Sequence, residues 1–563
     1  MIPKVARKSF VEAGKPVGLL GGAYSRCAHD AGTLLVPPDE RWGNPVFADA
    51  CLDDSDFHIH ATLTLERLAA TGASMLLGGH YHYHFSRPEG NLTFRISLDD
   101  DIYPAQKALD KQTHIVHGRT DPYKPWHMRE NLHEKVVVGA ARDFFEPGKP
   151  FTLDLHRRGS ELICLINGKE AFRTDLSDGS RIAVGRCGDP GWPMSVGFLP
   201  GRGTLRIHEF YAEGSFPGPA FPTTDAWLHN TGGYSIYRIP SLCRLTSGRL
   251  LAFNEARRSH LTRGWQWHMM KASEILSGEV HCAMKSSDDG GRTWSEQTIV
   301  PTLKRGTVYE ARDPVPLQDR ETGELFLFTR GPWVVSSRDE GRTWSRPRSL
   351  APVLPGDWTG LTSGTGNGAI QLQHSRFKGR LISVVYGSGI VLLLLSDDHG
   401  ATWRAGAMWP SCKLGEPSMA ELSDGRVLVS PRRAGKVGPG RWFLTSHDGG
   451  MTFAEERSEP ALPMAGQGEI VAAEPLATAG GTVRPIICCG PAQKKTRLTL
   501  AVSLDDGRTW PISRVIDDGS AANLALVALP DAHVGVLYER DKYRRLSFQR
   551  VDLRSVIESS QNS

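Results

Sequence analysis

The chain has no apolar run approaching the roughly 18 residues that cross a membrane as a helix, so no membrane span is expected. It also lacks an excess of one charge: 66 Lys and Arg face 62 Asp and Glu, a net +4 over 563 residues. That balance gives no reason to expect nucleic acid as a partner. Cysteine is sparse. Nine residues, an odd number without metal-ligand spacing, argue against a disulfide framework, and the adjacent Cys488 and Cys489 read as buried strand residues. A leader is not evident: Arg7-Lys8-Ser9-Phe10 is faintly like a twin-arginine signal, but Glu12 and Lys15 interrupt the apolar stretch that should follow. The length exceeds one ordinary domain, so two or three are expected.

Glycine and proline are plentiful, 60 and 36 residues, which suits a turn-rich all-β protein. One stretch is written five times: Ser287–Trp294, Ser337–Trp344, Ser396–Trp403, Ser446–Phe453 and Ser503–Trp510. Each reads Ser-x-Asp-x-Gly-x-Thr-Trp/Phe, at intervals of roughly 50–60 residues, a period that marks an array of supersecondary units. The Asp can fold its carboxylate onto turn N–H groups, the Gly supplies a positive φ, and the aromatic ring plugs the space between neighbouring sheets. These residues build a scaffold and perform no chemistry.

The repeat is the Asp box of the sialidase superfamily, and the chain resembles a six-bladed β-propeller of that kind. Five boxes mark five blades. The sixth is expected from strands at Ala525–Val527, Val534–Leu537 and Leu546–Val551, completed by a strand near Ala226–His229 so that both ends seal the ring. The expected layout is an extension over 1–45, a β-sandwich over 46–214 resembling a concanavalin-like (laminin-G-like) jelly roll, a Pro/Gly linker at Pro217–Pro222, and the propeller over 223–555, with a polar, frayed end. Within the sandwich, Lys149–Phe172 reads as two strands with an Asn167-Gly168 hairpin. His58, His60, His80, His82 and His84 alternate on two strands, and read as surface or packed residues, since a metal site needs convergent ligands.

Arg238, in Tyr237-Arg238-Ile239-Pro240, sits in an apolar strand where a guanidinium is costly to bury without an anion. Its fork matches a carboxylate, and Glu255 is one candidate internal partner. The segment resembles the Tyr/Phe-Arg-Ile-Pro motif of sialidases, and Leu250–Arg257 resembles their next strand, which implies carboxylate binding by Arg238 and substrate contact by Arg257. Glu416-Pro417-Ser418 and the run to Arg432 resemble the blade with the pocket Glu and second triad arginine; Arg497, or Lys495, falls where the third cation is implied.

Two departures from the family pattern stand out. The implied acid/base Asp is missing, because no Asp occurs between Asp225 and Asp288; the loop Arg258–Gly278 offers His260, His268 and Glu274, with Glu279 just beyond, and places Trp265 and Trp267 where a sugar could stack. Asn523 stands where the nucleophilic Tyr is implied, and an amide is no such nucleophile; Tyr386 and Tyr543 are other tyrosines that could approach the axis. Tyr538-Glu539 reads as structural.

The resemblance therefore implies an exo-acting glycoside hydrolase on sialic acid or a related α-keto-acid sugar, with Glu416 as base on water and an inverting outcome. A hydrolase or lyase on a uronate or 3-deoxy-ulosonate is a second reading, separable by an unsaturated, ultraviolet-absorbing product. A carbohydrate-binding propeller without catalysis is the third. All three imply acidic glycans as partners, no cofactor, and a soluble chain that is exported or periplasmic if its glycan is extracellular.

Overall fold

The computed structural model describes residues 6–19, 27–37, 46–52, 55–66, 143–175, 204–258 without 230 and 235, and most of 279–561; strands at 71–78, 91–98, 113–120, 132–140 and 194–200 are described chiefly by their backbone. Within 279–561 the description omits 302–303, 306–307, 310–311, 332, 356–361, 364–365, 388–389, 411–413, 434–439, 463, 465–466, 479–480, 494–495 and 542. Its residues fall into two compact units that divide between Gly218 and Pro219.

The first unit is two antiparallel sheets. One runs in the order Lys169–Asp175, Glu161–Ile166, Pro150–Arg158, Phe57–Leu65, Leu205–Gly214, Ala6–Glu12 and Lys15–Pro16, with Ala28–Asp30 and Thr33–Val36 attached at Leu205–Gly214. Strands before residue 46 thus belong to this sheet. The second runs Leu132–Ala140, Thr113–Thr120, Asn91–Leu98, Thr71–Gly78, Met194–Pro200 and Val46–Leu52. Alternation along Phe57–Leu65 buries Phe57, Ile59, Ala61 and Leu63, and these join Val46, Ala48, Val196 and Phe198 of the other sheet in one core. Lys149–Phe172 makes three strands rather than two, because Gly159 (φ 59°) turns the chain once before the hairpin does. The expected hairpin is there, with Asn167 at φ 51° and Gly168 at φ 74°, both in the left-handed region that a tight two-residue turn demands. Of the expected histidine strands, His80, His82 and His84 lie outside the described residues.

The second unit is the propeller. Four sheets hold four antiparallel strands or more, and a seven-stranded sheet supplies two further blades. The division falls within one long strand, Ile512–Leu529: its first part pairs with Thr496–Ser503, and from Ala521 it pairs with His533–Arg540. The inner strands are Ile236–Arg244, Val315–Gln318, Ala369–Gln371, Leu414–Glu421, Glu469–Ala472 and the Ala521–Leu529 half of the long strand. Each packs beside the next, and the sixth returns to the first. The ring is sealed as expected: Thr223–Leu228 pairs with Arg545–Asp552 and forms the outer edge of blade six. Beyond it the chain is a helix, Leu553–Gln561, rather than a frayed tail, because Leu553 and Val556 are fully buried against that double sheet.

All five boxes share one hydrogen-bond set. In the first, Ser287 Oγ donates to Asp289 and accepts from the Gly291 N–H, while Asp289 accepts from the N–H and hydroxyl of Thr293. The same bonds recur around Asp339, Asp398, Asp448 and Asp505. Trp294 meets Phe548 of blade six at 5.4 Å, Trp403 meets Phe328 of blade two at 5.2 Å, and Trp510 stacks on Phe443 of blade four at 5.8 Å. Burying about 150–250 Å² each, such plugs contribute at most ~4–6 kcal/mol at about 25 cal/mol per Å².

The boxes also set the acid limit. Against the upward pull of partial burial, hydrogen bonds from Thr293 and then Ser287 hold Asp289 at about 2; at Asp339 the Thr343 hydrogen bonds act first and hold it at about 2. The other three box carboxyls are lowered too. A carboxyl whose folded pKa lies below its unfolded value of ~3.9 stabilises fully above that value, and loses its contribution as pH falls through the folded pKa. Circular dichroism during acid titration should therefore show stability falling from about pH 4 toward pH 2, with a flatter decline in the multiple variant Asp289→Asn/Asp339→Asn.

Across the axis, Asn367 at the head of blade three pairs its side-chain amide with both the N–H and C=O of Leu526 in blade six, at 2.8 Å each. Its own N–H donates to Glu469 of blade five, and its carbonyl accepts from the Met419 N–H of blade four. One residue thus ties four blades together where their inner strands begin.

Candidate active site

The leading ends of the inner strands are irregular, and the irregularity aims their side chains. Ile239, Asp313 and Glu416 have φ of 52°, 51° and 42°, a conformation expensive for non-glycine residues and concentrated at functional sites. Each precedes a proline: Pro240, Pro314 and Pro417. Register shifts interrupt the pairing between Arg238 and Ser241, between Gly415 and Ser418, and between Ala521 and Leu524. Bulges of this kind turn side chains out of the ladder. In blade three the equivalent place is Gly366 at φ 38°, where a Cβ would lie 2.9 Å from the Glu469 carboxyl carbon and the Leu524 carbonyl oxygen.

Arg238 is buried, 3% exposed, and its partner is Glu539 rather than Glu255. Nε and Nη2 donate to the two carboxylate oxygens at 2.5 and 3.2 Å. Glu539 also accepts from the Ile239 N–H at 2.9 Å, the Asn523 N–H at 3.1 Å and the Asn523 side-chain amide at 3.3 Å. The Tyr543 ring lies 4.2 Å from the Arg238 guanidinium carbon. The Leu-Tyr-Glu strand therefore fixes Arg238 through Glu539, while Tyr538 is buried and donates to Asp517.

Glu255 instead accepts from Arg257 on one oxygen, Nε donating at 2.9 Å, and from the Asp313 N–H on the other at 2.9 Å. Burial pulls Glu255 up, but Arg257 and Arg312 outweigh it and hold the carboxyl below its ordinary value. Asp313 moves the other way. Burial first, then the Glu255 charge and, more weakly, Glu416 push it up to about 8, with Arg330 opposing. Two carboxyls driven apart by their surroundings are the mark of an acid and an anion side by side.

Glu416 pairs with Arg432 at 2.6 Å, both partly open to solvent at 25% and 31% exposure. A small cavity at the axis brings Glu416 together with Ile239, Pro240, Glu469, Asn523 and Leu524. Tyr386 packs beside Gly415, where a Cβ would approach its ring to 3.2 Å. Arg441, 1% exposed, braces this wall by donating to Ser430 Oγ at 2.7 Å and to the carbonyls of Ser430 and Gly468.

Arg497 is exposed at φ 57°, and Lys495 lies outside the described residues. So do His260, Trp265, Trp267, His268 and Glu274; Glu279 begins a strand, but its side chain is not described. Sequence reasoning passed over Asp313, although Asp313-Pro314 is a third copy of the residue-Pro signature of Ile239-Pro240 and Glu416-Pro417. Asn367 carries no comparable signal. Among the described residues, no metal-ligand cluster lies at this axial site.

The family described as "BNR repeat-like domain" matches residues 276–548. A sialidase of Micromonospora viridifaciens is 31% identical over 354 residues, 57% of this chain and 52% of the relative. Over these residues the chain is similar to sialidases. Sialidase-2 of Cricetulus griseus is 25% identical over 369 residues, 57% of this chain and 93% of the relative. The chain spans about half the length of the Micromonospora viridifaciens relative. Its fold is shared with a leech intramolecular trans-sialidase, TM-score 0.50 at 15% identity over 93% of this chain and 98% of that one. The NanB sialidase of Streptococcus pneumoniae gives 0.50 at 16%, covering 90% of this chain and 96% of that one.

Proposed function

We propose that the chain is an exo-acting glycoside hydrolase of the sialidase type, removing a terminal sialic acid or related α-keto-acid sugar. The supporting observation is that Arg238, anchored by Glu539, and Glu416, paired with Arg432, stand at the leading ends of inner strands around one axis. A substrate carboxylate would meet the guanidinium that Glu539 holds in place. Arg432 would meet the same carboxylate and Arg257 the sugar body.

Proton traffic falls to Asp313 and Glu416. Asp313, protonated at neutral pH, donates to the leaving glycosidic oxygen, and Glu416 takes a proton from a water that attacks the anomeric carbon. The C–O bond to the leaving group breaks as the new C–O bond forms on the opposite face, so the configuration inverts. Asn523 supplies no nucleophile; its amide is engaged with Glu539. A retaining route would need a tyrosine, either Tyr543, which already lies on Arg238, or Tyr386 beside Gly415.

Proton NMR of a sialyl-lactose mixture decides between them from the first minutes of reaction. The β-anomer of the free sugar is expected first. The α-anomer first would transfer the nucleophile's role to a tyrosine, and release of no sugar at all would overturn the hydrolase.

A further inference from the structure

Outside the propeller, the first unit gathers three histidines and two carboxylates on three adjacent strands. His58 and His60 lie on Phe57–Leu65, Asp154 and His156 on Pro150–Arg158, and Glu213 on Leu205–Gly214. The register places His58 directly across from His156 on one side and from Glu213 on the other, and His60 across from Asp154. All five point to the sheet face away from the Ile59, Ala61, Leu153 and Leu155 core, since alternation sends every second residue the other way.

We propose that His58, Asp154 and His156 form a binding site for a divalent transition-metal ion of the zinc type. One potential ligand atom from each already lies within 4.8 Å of the others. A tetrahedral site with bonds of about 2.0–2.1 Å has edges near ~3.3 Å, so the three atoms would have to draw together by at most about 1.5 Å. The His58 and His156 rings are stacked at 4.2 Å, so His156 must swing about its Cβ–Cγ bond to bring a nitrogen round. His58 Nε2 stands 2.8 Å from Asp154 Oδ1, and the ion would take the place of the proton between them.

The surroundings fit that role. Glu213 sits 3.3 Å from His58 Nδ1, the nitrogen facing away from Asp154. A carboxylate on the far ring nitrogen fixes the tautomer and strengthens the imidazole as a ligand. His60 Nδ1 holds the same Asp154 oxygen at 2.7 Å and steadies the carboxylate, while Tyr211 stacks on the His60 ring at 4.9 Å. Two imidazoles and a carboxylate suit zinc, copper or nickel better than calcium or magnesium, which prefer all-oxygen shells. Two carboxyl groups, Asp154 and Glu213, beside the imidazoles suit a cation. His58 and Asp154 side chains keep 23% and 19% exposure, so solvent can supply the fourth ligand.

Equilibrium dialysis of the full chain against zinc chloride, with metal counted by mass spectrometry, tests the site. His58→Gln and His156→Gln should each lose one bound zinc per chain, and Glu213→Gln should keep it with ~10–100-fold weaker affinity. Wild-type stoichiometry and affinity in all three variants would overturn the proposal. Zinc-edge X-ray absorption on the unsubstituted chain does not depend on variant folding. Imidazole scattering with N/O donors near ~2.0 Å supports the site; a sulfur shell near ~2.3 Å, or water oxygens alone, would overturn it.

Discussion

Arg238→Met is expected to remove turnover of an acidic sugar and to destabilise the propeller by about 3–5 kcal/mol, the usual consequence of stranding one member of a buried ion pair. The stranded partner is Glu539, 1% exposed. Three donors would still surround it, the Ile239 and Asn523 N–H groups and the Asn523 amide, but none carries the compensating charge. Chemical denaturation measures the stability loss. Folding and function then separate in the double variant Arg238→Met/Glu539→Gln, which removes both charges while the one glutamine oxygen still accepts from one of the two backbone N–H donors. It should recover most of the lost stability, because a matched neutral pair avoids the desolvation of two ions, and it should recover no activity. If activity returned with stability, Arg238 would be a structural residue and the sugar carboxylate would be held elsewhere.

The propeller was legible because its information is local and repeated. Each box needs Ser, Asp, Gly and Thr at fixed spacing to close one turn, and the five copies close it with the same bonds. Both-ends closure followed from counting boxes. The site was legible only in part. Arg238, Glu416 and Arg432 stand in motifs whose positions on inner strands are local facts. Which acid faces Arg238 is a long-range fact: Glu255 is its neighbour across the ladder, yet the bulge at Ile239 carries the guanidinium to Glu539, 301 residues away. Asn367 is unreadable for the same reason, since its partners in blades four, five and six are set by ring closure. The C-terminal helix was misjudged because its two buried contacts, Leu553 and Val556, are few against a polar remainder.

Asp313→Asn should lower turnover by ~10²–10⁴-fold, the contribution of a positioned general acid, and should do so without unfolding the chain. Asparagine tolerates the left-handed backbone that residue 313 adopts at φ 51°, and an amide keeps nearly the same shape. The pH profile distinguishes an acid from a mere contact. In the wild type, activity should fall as pH rises past about 8, where Asp313 loses its proton; in the variant the residual activity should lack that alkaline limb. Stability moves in the opposite sense. An acid whose folded pKa lies above its unfolded ~3.9 keeps a proton that the unfolded chain has released, so rising pH favours unfolding by up to ~1.4 kcal/mol per pH unit between the two values. Asp313→Asn removes that slope, and should therefore be more stable than the wild type at pH 8 and equal to it near pH 4. A variant that loses activity but keeps both the alkaline limb and the stability slope would return the proton donor's role to another residue. One that gains stability at pH 8 while its turnover collapses would mark Asp313 as a strained acid, retained for chemistry at the expense of the fold.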